Sequence, residues 1–171
     1  EGNSAFQDLM YILTLESAAG MERAFGIPSM ADHYMQIASA IRGTIRTKYW
    51  DAARGLFADT YDHRSFSQHV NSLAILAGIV AGEEATEVME RTLNDPSLIQ
   101  ATIYFRYYVH QALKAAGMGD RLLDNMQIWR DQMALGLTTW AEMPEPTRSD
   151  CHAWGASPNI EFFRILLGID S

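Results

Sequence analysis

The segment from Thr138 to Pro158, TTWAEMPEPTRSDCHAWGASP, contains the residues of this chain whose types and spacing could do chemistry. It holds two Trp, one His, one Cys, two Glu and three Pro, and it lacks the apolar periodicity of the rest of the chain. Carboxylate and imidazole side chains can transfer protons in a reaction. Because long structured loops in compact domains are usually functional, we expect this segment to form a functional site.

The two glutamates of this segment are predicted to differ. Glu142 follows Trp140, and an indole ring beside a carboxylate can raise the pKa of that carboxylate by desolvation. A carboxyl group with a raised pKa is suited to general acid or base catalysis near neutral pH. Glu145 is expected to be a solvated loop carboxylate. Glu142 is therefore the candidate catalytic residue.

Cys151 and His152 are adjacent in the sequence. A nucleophile and its base need side chains that converge, and neighbouring positions often diverge. Cys151 is therefore expected to be a small buried side chain with a structural role. For His152 two interpretations stay open, a core histidine and a polar ligand of a substrate.

No metal site is predicted. The five histidines form no His-x-x-x-His pair, and the chain has one cysteine, which also excludes an intrachain disulfide. No cofactor is expected either.

The tryptophans lie at predicted helix ends or in loops. Sugars bind proteins by stacking their C–H faces on aromatic rings, while acids and amides bond the hydroxyl groups. Loop tryptophans near a Glu and a His are therefore typical of a carbohydrate site, although the pattern alone is a weak indication. The candidate substrate-binding residues are His152, Trp140, Trp154 and Trp50. Most aromatic residues of the segment TIYFRYYVHQAL are expected to pack in the core.

Apolar periodicity predicts an all-α chain of about seven helices that forms one domain over residues 1–171. Capping-box spacings precede three of the helices. These pairs are Ser4 with Gln7, Ser29 with Asp32, and Ser65 with Gln68. The connection from Tyr49 to Phe66 is rich in aromatic residues and Asp, and it could hold a small hairpin. These helices must position the loop that begins at Thr138.

The composition excludes several classes of partner. The net charge is −8 and no cluster of Lys or Arg offsets it, so nucleic-acid binding is not expected. The longest apolar run, SLAILAGIVAG, is too short to span a bilayer, so no membrane insertion is expected. The sequence starts without Met, which indicates a mature form or an excised piece. Both the cytoplasm and the bacterial periplasm remain open as compartments.

The segment GLTTWAEMPEPTRSDCHAWGASPNIEFFRILLGI is similar to the end of the catalytic domain of bacterial family 78 glycoside hydrolases, the α-L-rhamnosidases. GLFADTYDHRSFSQHVNSLAILAGIV and ATIYFRYYVHQAL also resemble that family, in the same order and spacing. The resemblance covers nearly the whole chain, and TTWAE…SDCHAW is its most specific part. The first 48 residues fit as a helical pair with little signature.

The resemblance implies an (α/α)6 barrel whose site lies among the loops at one end. It also implies hydrolysis of terminal α-L-rhamnosides with inversion, in which one carboxylic acid protonates the leaving oxygen and a second carboxylate activates water. By the family pattern, Glu142 matches the general base. His152 matches a pocket histidine that contacts the sugar or the water. A rhamnoside is thus the expected partner.

The chain departs from the family in two ways. An (α/α)6 barrel has twelve helices, and the family's general acid lies in an acidic motif well before the matched region. None of the four candidate residues matches that motif; these are Asp51, Asp59, Asp62 and Asp150. We therefore expect the chain to be the C-terminal part of a larger catalytic domain, with the general acid outside it and no activity alone.

Two other functions remain open from the sequence. One is an (α/α)6 glycosidase with a different sugar specificity. The other is an all-helical carbohydrate-binding or interaction domain.

Cutting a closed ring of helices would also uncover apolar surface at its ends. The segments Leu9–Leu15 and Phe162–Ile169 are predicted to be exposed in this way, and to favour a two-fold homodimer.

Overall fold

The computed structural model describes residues 3–143 and 146–170. Within these ranges it contains seven α-helices and one two-stranded hairpin, so the predicted all-α fold is confirmed. In chain order the elements are α1 (Ala5–Phe25), α2 (Pro28–Lys48), β1 (Trp50–Asp51), β2 (Leu56–Phe57), α3 (Gln68–Leu76), α4 (Gly82–Asn94), α5 (Arg106–Ala115), α6 (Gln127–Ala134) and α7 (Pro158–Glu161).

Helices α1 and α2 form a helical hairpin, because only two residues separate them and they pack together along their length. The predicted cap of α1 is confirmed, since the Ser4 hydroxyl accepts a hydrogen bond from the Gln7 N–H at 3.5 Å. The predicted cap of α2 at Ser29 is wrong. Pro28 is the first residue of α2, and its fixed φ favours that position, so the helix begins before Ser29.

The connection between α2 and α3 holds the predicted hairpin. Strands β1 and β2 are antiparallel and pair Trp50 with Phe57. The buried amide of Asn71 extends this pairing from α3. The Phe57 N–H donates to Asn71 Oδ1 at 2.8 Å, and Asn71 Nδ2 donates to the Phe57 carbonyl at 3.0 Å. One side chain thereby joins the hairpin to the helical core.

Helix α3 is capped by Ser67, so the predicted cap at Ser65 is wrong. The Ser67 hydroxyl accepts from the Val70 N–H at 3.2 Å, while the Ser65 hydroxyl donates to Asp59 at 2.6 Å. The helix also ends earlier than its apolar run suggests, and Gly78 follows with a φ of +65°. This left-handed conformation is one that glycine adopts readily.

The main core surrounds α3, which packs against α1, α4 and α5. A second, smaller cluster lies under the Thr138–Pro158 loop and is formed by Ile103, Leu122, Met126 and Trp129. Two 3₁₀ turns, Gly119–Arg121 and Leu123–Asn125, lead from α5 into α6. A third, Ala153–Ala156, precedes α7, and a π-helical turn, Phe162–Leu166, follows it.

The two segments that were predicted to be exposed behave differently. In Leu9–Leu15, the apolar residues Leu9, Ile12 and Leu15 are buried in the core, so that part of the prediction is wrong. They are covered because α1 packs on both α2 and α3. In Phe162–Ile169 the large apolar side chains other than Ile165 are exposed, with Leu167 at 64%. Self-association through this C-terminal face stays a prediction.

Across the described residues, no helix is both long enough and apolar enough to cross a membrane.

Two ionisable side chains of the C-terminal helices are fully buried, His110 of α5 and Glu161 of α7. His110 has no hydrogen-bond partner on either ring nitrogen among the described residues, and its ring lies 5.5 Å from that of Trp129. Burial, helped by the positive charge of Arg106, lowers the pKa of His110 from 6.5 to about 4. Burial also raises the pKa of Glu161, whose carboxylate oxygens lack a partner with hydrogen-bond geometry in the same ranges.

The buried His110 predicts a pH dependence of stability. Between pH 6.5 and pH 4 the unfolded chain binds the His110 proton and the folded chain does not, so the free energy of unfolding falls as the pH falls. The loss attributable to His110 should total about 3 kcal/mol, at 1.36 kcal/mol per pKa unit. Urea unfolding at several pH values, compared between the wild type and His110→Phe, isolates this contribution from the opposite effect of Glu161.

The matched control is His33→Phe, at an exposed position of α2, which should keep the wild-type pH dependence. A His110→Phe variant whose stability changed with pH as steeply as the wild type would contradict the assignment.

Candidate active site

Hydrogen bonds join the two ends of the Thr138–Pro158 loop. Residues 138–142 form its first arm, and residues 148–158 form its second arm. The Glu142 N–H donates to the Ser149 carbonyl at 2.9 Å, and the His152 N–H donates to the Trp140 carbonyl at 2.8 Å. The Thr139 hydroxyl donates to the Asp150 carbonyl. The arms therefore run side by side, which brings Glu142 and His152 together although they are distant in sequence.

Gln132 anchors the first arm to α6. The Ala141 N–H donates to Gln132 Oε1 at 2.9 Å, and Gln132 Nε2 donates to the Ala141 carbonyl at 3.3 Å. Both residues are buried, so one amide side chain satisfies both backbone hydrogen-bonding groups of Ala141. Glu142 is the next residue, and its backbone is thereby fixed relative to the helices.

Trp140 and Gly155 hold the two arms close together. A Cβ atom on Gly155 would lie 2.6 Å from the Cβ of Trp140, so the arms could not approach this closely with any other residue at that position. The Trp129 indole N–H donates to the Gly155 carbonyl at 2.6 Å. Trp140 itself packs on the second core cluster, beneath the loop.

The Glu142 carboxylate is paired with two basic side chains. Arg148 donates from Nε to Glu142 Oε2 at 2.9 Å and from Nη2 to Oε1, which makes a bidentate pair. His152 Nε2 lies 3.9 Å from Oε1, and the Glu142 side chain is 13% exposed. Its hydrogen bonds to Arg148 lower the pKa of Glu142, and the nearby His152 adds to this effect.

The prediction that the pKa of Glu142 is raised is therefore wrong. Desolvation does act in the raising direction, but the hydrogen bonds and charge of Arg148 outweigh it. The carboxylate is accordingly ionised at neutral pH, which is the state that a general base requires.

A cavity of about 360 Å³ opens beside Glu142. Its lining consists of Thr102, Tyr104, Glu142, Met143 and Trp154. The Trp154 ring is contacted by His152, with centroids 4.5 Å apart, and by Tyr104 in a T-shaped arrangement with centroids 5.2 Å apart. Both Trp154 and Tyr104 keep nearly half of their surface exposed. The cavity thus offers aromatic surface next to an ionised carboxylate, at a size that suits a monosaccharide.

The structure brings together three of the predicted site residues, Glu142, His152 and Trp154. The Trp140 side chain lines a different cavity of about 340 Å³, which it shares with Trp129. Trp50 lies in β1, where its ring packs against Phe57 at 4.9 Å. Neither of these rings is part of the lining around Glu142.

Three further residues complete the comparison with the sequence. Cys151 is exposed, so the prediction of a buried thiol is wrong. Glu145 lies outside the described residues. Tyr104 lines the cavity, whereas most aromatic residues of its segment, TIYFRYYVHQAL, are expected from the sequence to pack in the core.

As for metals, no three His, Cys, Asp or Glu side chains in residues 3–143 and 146–170 come together in a way that could hold an ion.

Comparison with known proteins gives a match at the level of structure. No family model matches the sequence, and no curated protein matches it. Among solved structures, the chain is similar to the family 78 rhamnosidase of Bacillus sp. GL1, with a TM-score of 0.83 and 25% identity over 96% of the chain. It is also similar to a rhamnosidase from Klebsiella oxytoca with rhamnose bound, with a TM-score of 0.83 and 21% identity over 96% of the chain.

The chain has the fold of one part of a family 78 rhamnosidase. The resemblance that the loop motif indicated is confirmed, and the seven helices form part of an (α/α)6 arrangement. The chain spans 19% of the length of the Bacillus enzyme and 34% of the length of the Klebsiella enzyme.

The contact between Gln132 and Ala141 predicts how the site responds to mutation. Gln132→Leu leaves both backbone groups of Ala141 without their partners, and each unsatisfied buried group costs roughly 1–3 kcal/mol. We expect lower stability together with faster amide hydrogen exchange at Ala141, Glu142 and His152.

Gln68→Leu is the matched control. Gln68 makes the same kind of contact elsewhere, accepting from the Ala101 N–H at 2.9 Å and donating to the Thr92 carbonyl at 3.3 Å. It should lower stability by a similar amount without changing exchange in the loop. Normal protection of Glu142 and His152 in Gln132→Leu would show that the contact does not position the loop.

Proposed function

We propose that the chain is part of a larger inverting glycoside hydrolase that removes terminal α-L-rhamnosyl groups, with Glu142 as its general base. The observation that carries this proposal is the convergence of Glu142, His152 and Trp154 beside a cavity of about 360 Å³. The fold supports it, because it is similar to that of two rhamnosidases, one of which has rhamnose bound.

In the proposed reaction, Glu142 accepts a proton from a water molecule. The water attacks the anomeric carbon from the face opposite the leaving group, while a carboxylic acid on the other side protonates the leaving oxygen. The lowered pKa of Glu142 keeps it ionised for this step, at some cost in basicity.

The neighbours of Glu142 are proposed to hold the substrate and the water. His152 Nε2 lies near enough to Glu142 for a water molecule or a sugar hydroxyl to bond to both groups. The half-exposed ring of Trp154, which Tyr104 contacts in a T-shaped arrangement, is the proposed stacking surface for the sugar ring. Trp140 supports the loop from below in this proposal, and Trp50 has no assigned contact with the sugar.

The general acid is proposed to come from another part of a longer protein. Of the described residues that line the cavity, Glu142 is the one carboxylate. An inverting mechanism needs two carboxyl groups, roughly 6.5–9.5 Å apart across the sugar. The short span of the chain relative to the two rhamnosidases agrees with this arrangement.

The single carboxylate also supports a second candidate function, a carbohydrate-binding domain without catalysis. A panel of nitrophenyl glycosides, offered to a protein that contains this chain and the rest of the domain, distinguishes the candidates. Turnover of the rhamnoside supports the first proposal, turnover of another glycoside supports a different specificity, and rhamnose binding without any turnover supports the second candidate.

The general-base role predicts the effect of Glu142→Gln in that larger protein. The amide cannot accept the proton of the attacking water, so kcat should fall by about 10²–10⁴-fold. Steady-state kinetics on a rhamnoside measures the change, and Glu87→Gln on the exposed face of α4 is the control with an unchanged rate. A loss of less than tenfold, with an unchanged circular dichroism spectrum, would remove Glu142 from this role.

The 171-residue chain by itself is predicted not to hydrolyse an unactivated rhamnoside. Water activated by Glu142 would meet a leaving group that has no proton donor. The measurement is release of free rhamnose over a long incubation with the purified chain. Release above the rate without protein would show that a second carboxylate reaches the cavity from within the chain.

A further inference from the structure

Arg148 makes a contact with Glu142 whose geometry is more specific than a surface ion pair requires. Two N–H groups of the guanidinium meet the two oxygens of the carboxylate, from Nε to Oε2 at 2.9 Å and from Nη2 to Oε1. This two-point contact, called here the fork, fixes the plane of the carboxylate and also favours its negative charge. A single contact cannot fix the plane.

The exposure of the two partners differs widely. The Arg148 side chain is 75% exposed and the Glu142 side chain is 13% exposed. Exposed ion pairs contribute little to stability, so the pair has little effect on the fold. The main effect of the pair is on the carboxylate of Glu142, which is the more enclosed partner.

The loop itself presents Arg148 to Glu142. The Glu142 N–H bonds to the carbonyl of Ser149, which is the residue after Arg148, so Arg148 lies across the loop from the carboxylate. Arg148 does not belong to the lining of the cavity that Glu142 borders. The guanidinium can therefore hold the carboxylate without occupying the place of a sugar.

We propose that Arg148 is a positioning residue for Glu142, whose fork orients the carboxylate and keeps it ionised for proton transfer. The catalytic part of this inference rests on the proposed function. Its structural part rests on the bidentate contact. In the described structure, Arg148 and His152 from the second arm of the loop contact the Glu142 carboxylate, and Tyr104 from the segment before α5 lines the same cavity.

The charge and the fork can be separated by substitution. Arg148→Met keeps the stem of the side chain and removes the charge, while Arg148→Lys keeps the charge and removes the fork. Without Arg148 the pKa of Glu142 rises towards its ordinary value, so the acidic limb of the pH profile of kcat/KM moves to higher pH.

In the larger protein we expect Arg148→Met to lower kcat by about tenfold to a hundredfold, with KM changing less, because the base is no longer oriented. Its acidic limb should move to higher pH. Arg148→Lys should leave the acidic limb near that of the wild type, with an intermediate kcat. Arg64→Met, which removes an equally exposed loop arginine paired with Asp62, is the control with unchanged kinetics.

A second measurement needs no activity. In the 171-residue chain, carbon-13 NMR of labelled glutamate side chains can follow the titration of Glu142, assigned by its loss in Glu142→Gln. The pKa of Glu142 should be below that of an ordinary glutamate in the wild type and in Arg148→Lys, and should rise in Arg148→Met.

These outcomes separate the two proposals. If Glu142→Gln stays active in the larger protein, the general-base role fails, and the titration alone decides whether Arg148 holds the carboxylate. If Glu142→Gln is inactive but Arg148→Met has the kcat and acidic limb of the wild type, the positioning role is overturned. A higher kcat in Arg148→Met would also overturn it, because the guanidinium would then be obstructing the base.

Discussion

The contact between Gln132 and Ala141 is the interaction on which the geometry of the site depends. The two arms of the Thr138–Pro158 loop bond mainly to each other. Two buried contacts tie the arms to α6. Gln132 bonds to both backbone groups of Ala141, and the Trp129 indole N–H donates to the Gly155 carbonyl. In a low-dielectric environment such bonds are costly to leave unmade, so the loop has one favourable register against α6.

Buried side-chain amides make similar contacts with backbone groups at two other places in the chain. Asn71 bonds to both backbone groups of Phe57, and Gln68 bonds to Ala101 and Thr92. In each case the buried amide of a side chain on a helix supplies a donor and an acceptor to backbone groups of other segments. The protein thus attaches its hairpin, the segment before α5 and the Thr138–Pro158 loop to the helices by the same chemistry.

The sequence predicted the elements that local rules determine. The cap at Ser4 follows from the spacing of Ser4 and Gln7 in the sequence. The cap of α3 was misplaced because the Ser65–Gln68 spacing matches a capping box, whereas the Gln68 side chain is used in tertiary contacts. A sequence pattern indicates which hydrogen bonds a side chain could make, and the tertiary structure determines which of them it does make.

For the candidate site, too, the sequence predicted some features and not others. Residue type and motif are enough to select Glu142 and His152 from the sequence. The pKa of Glu142 could not be predicted in this way, because it depends on Arg148. Arg148 reaches the carboxylate only once the two arms of the loop have paired. A sequence places Trp140 next to Glu142, and the natural inference is that the indole desolvates the carboxylate. In the structure that indole faces the second core cluster, since Gly155 admits it beneath the loop. An ion pair therefore replaces burial as the main influence on the carboxylate, which favours an ionised base over a protonated acid at this position.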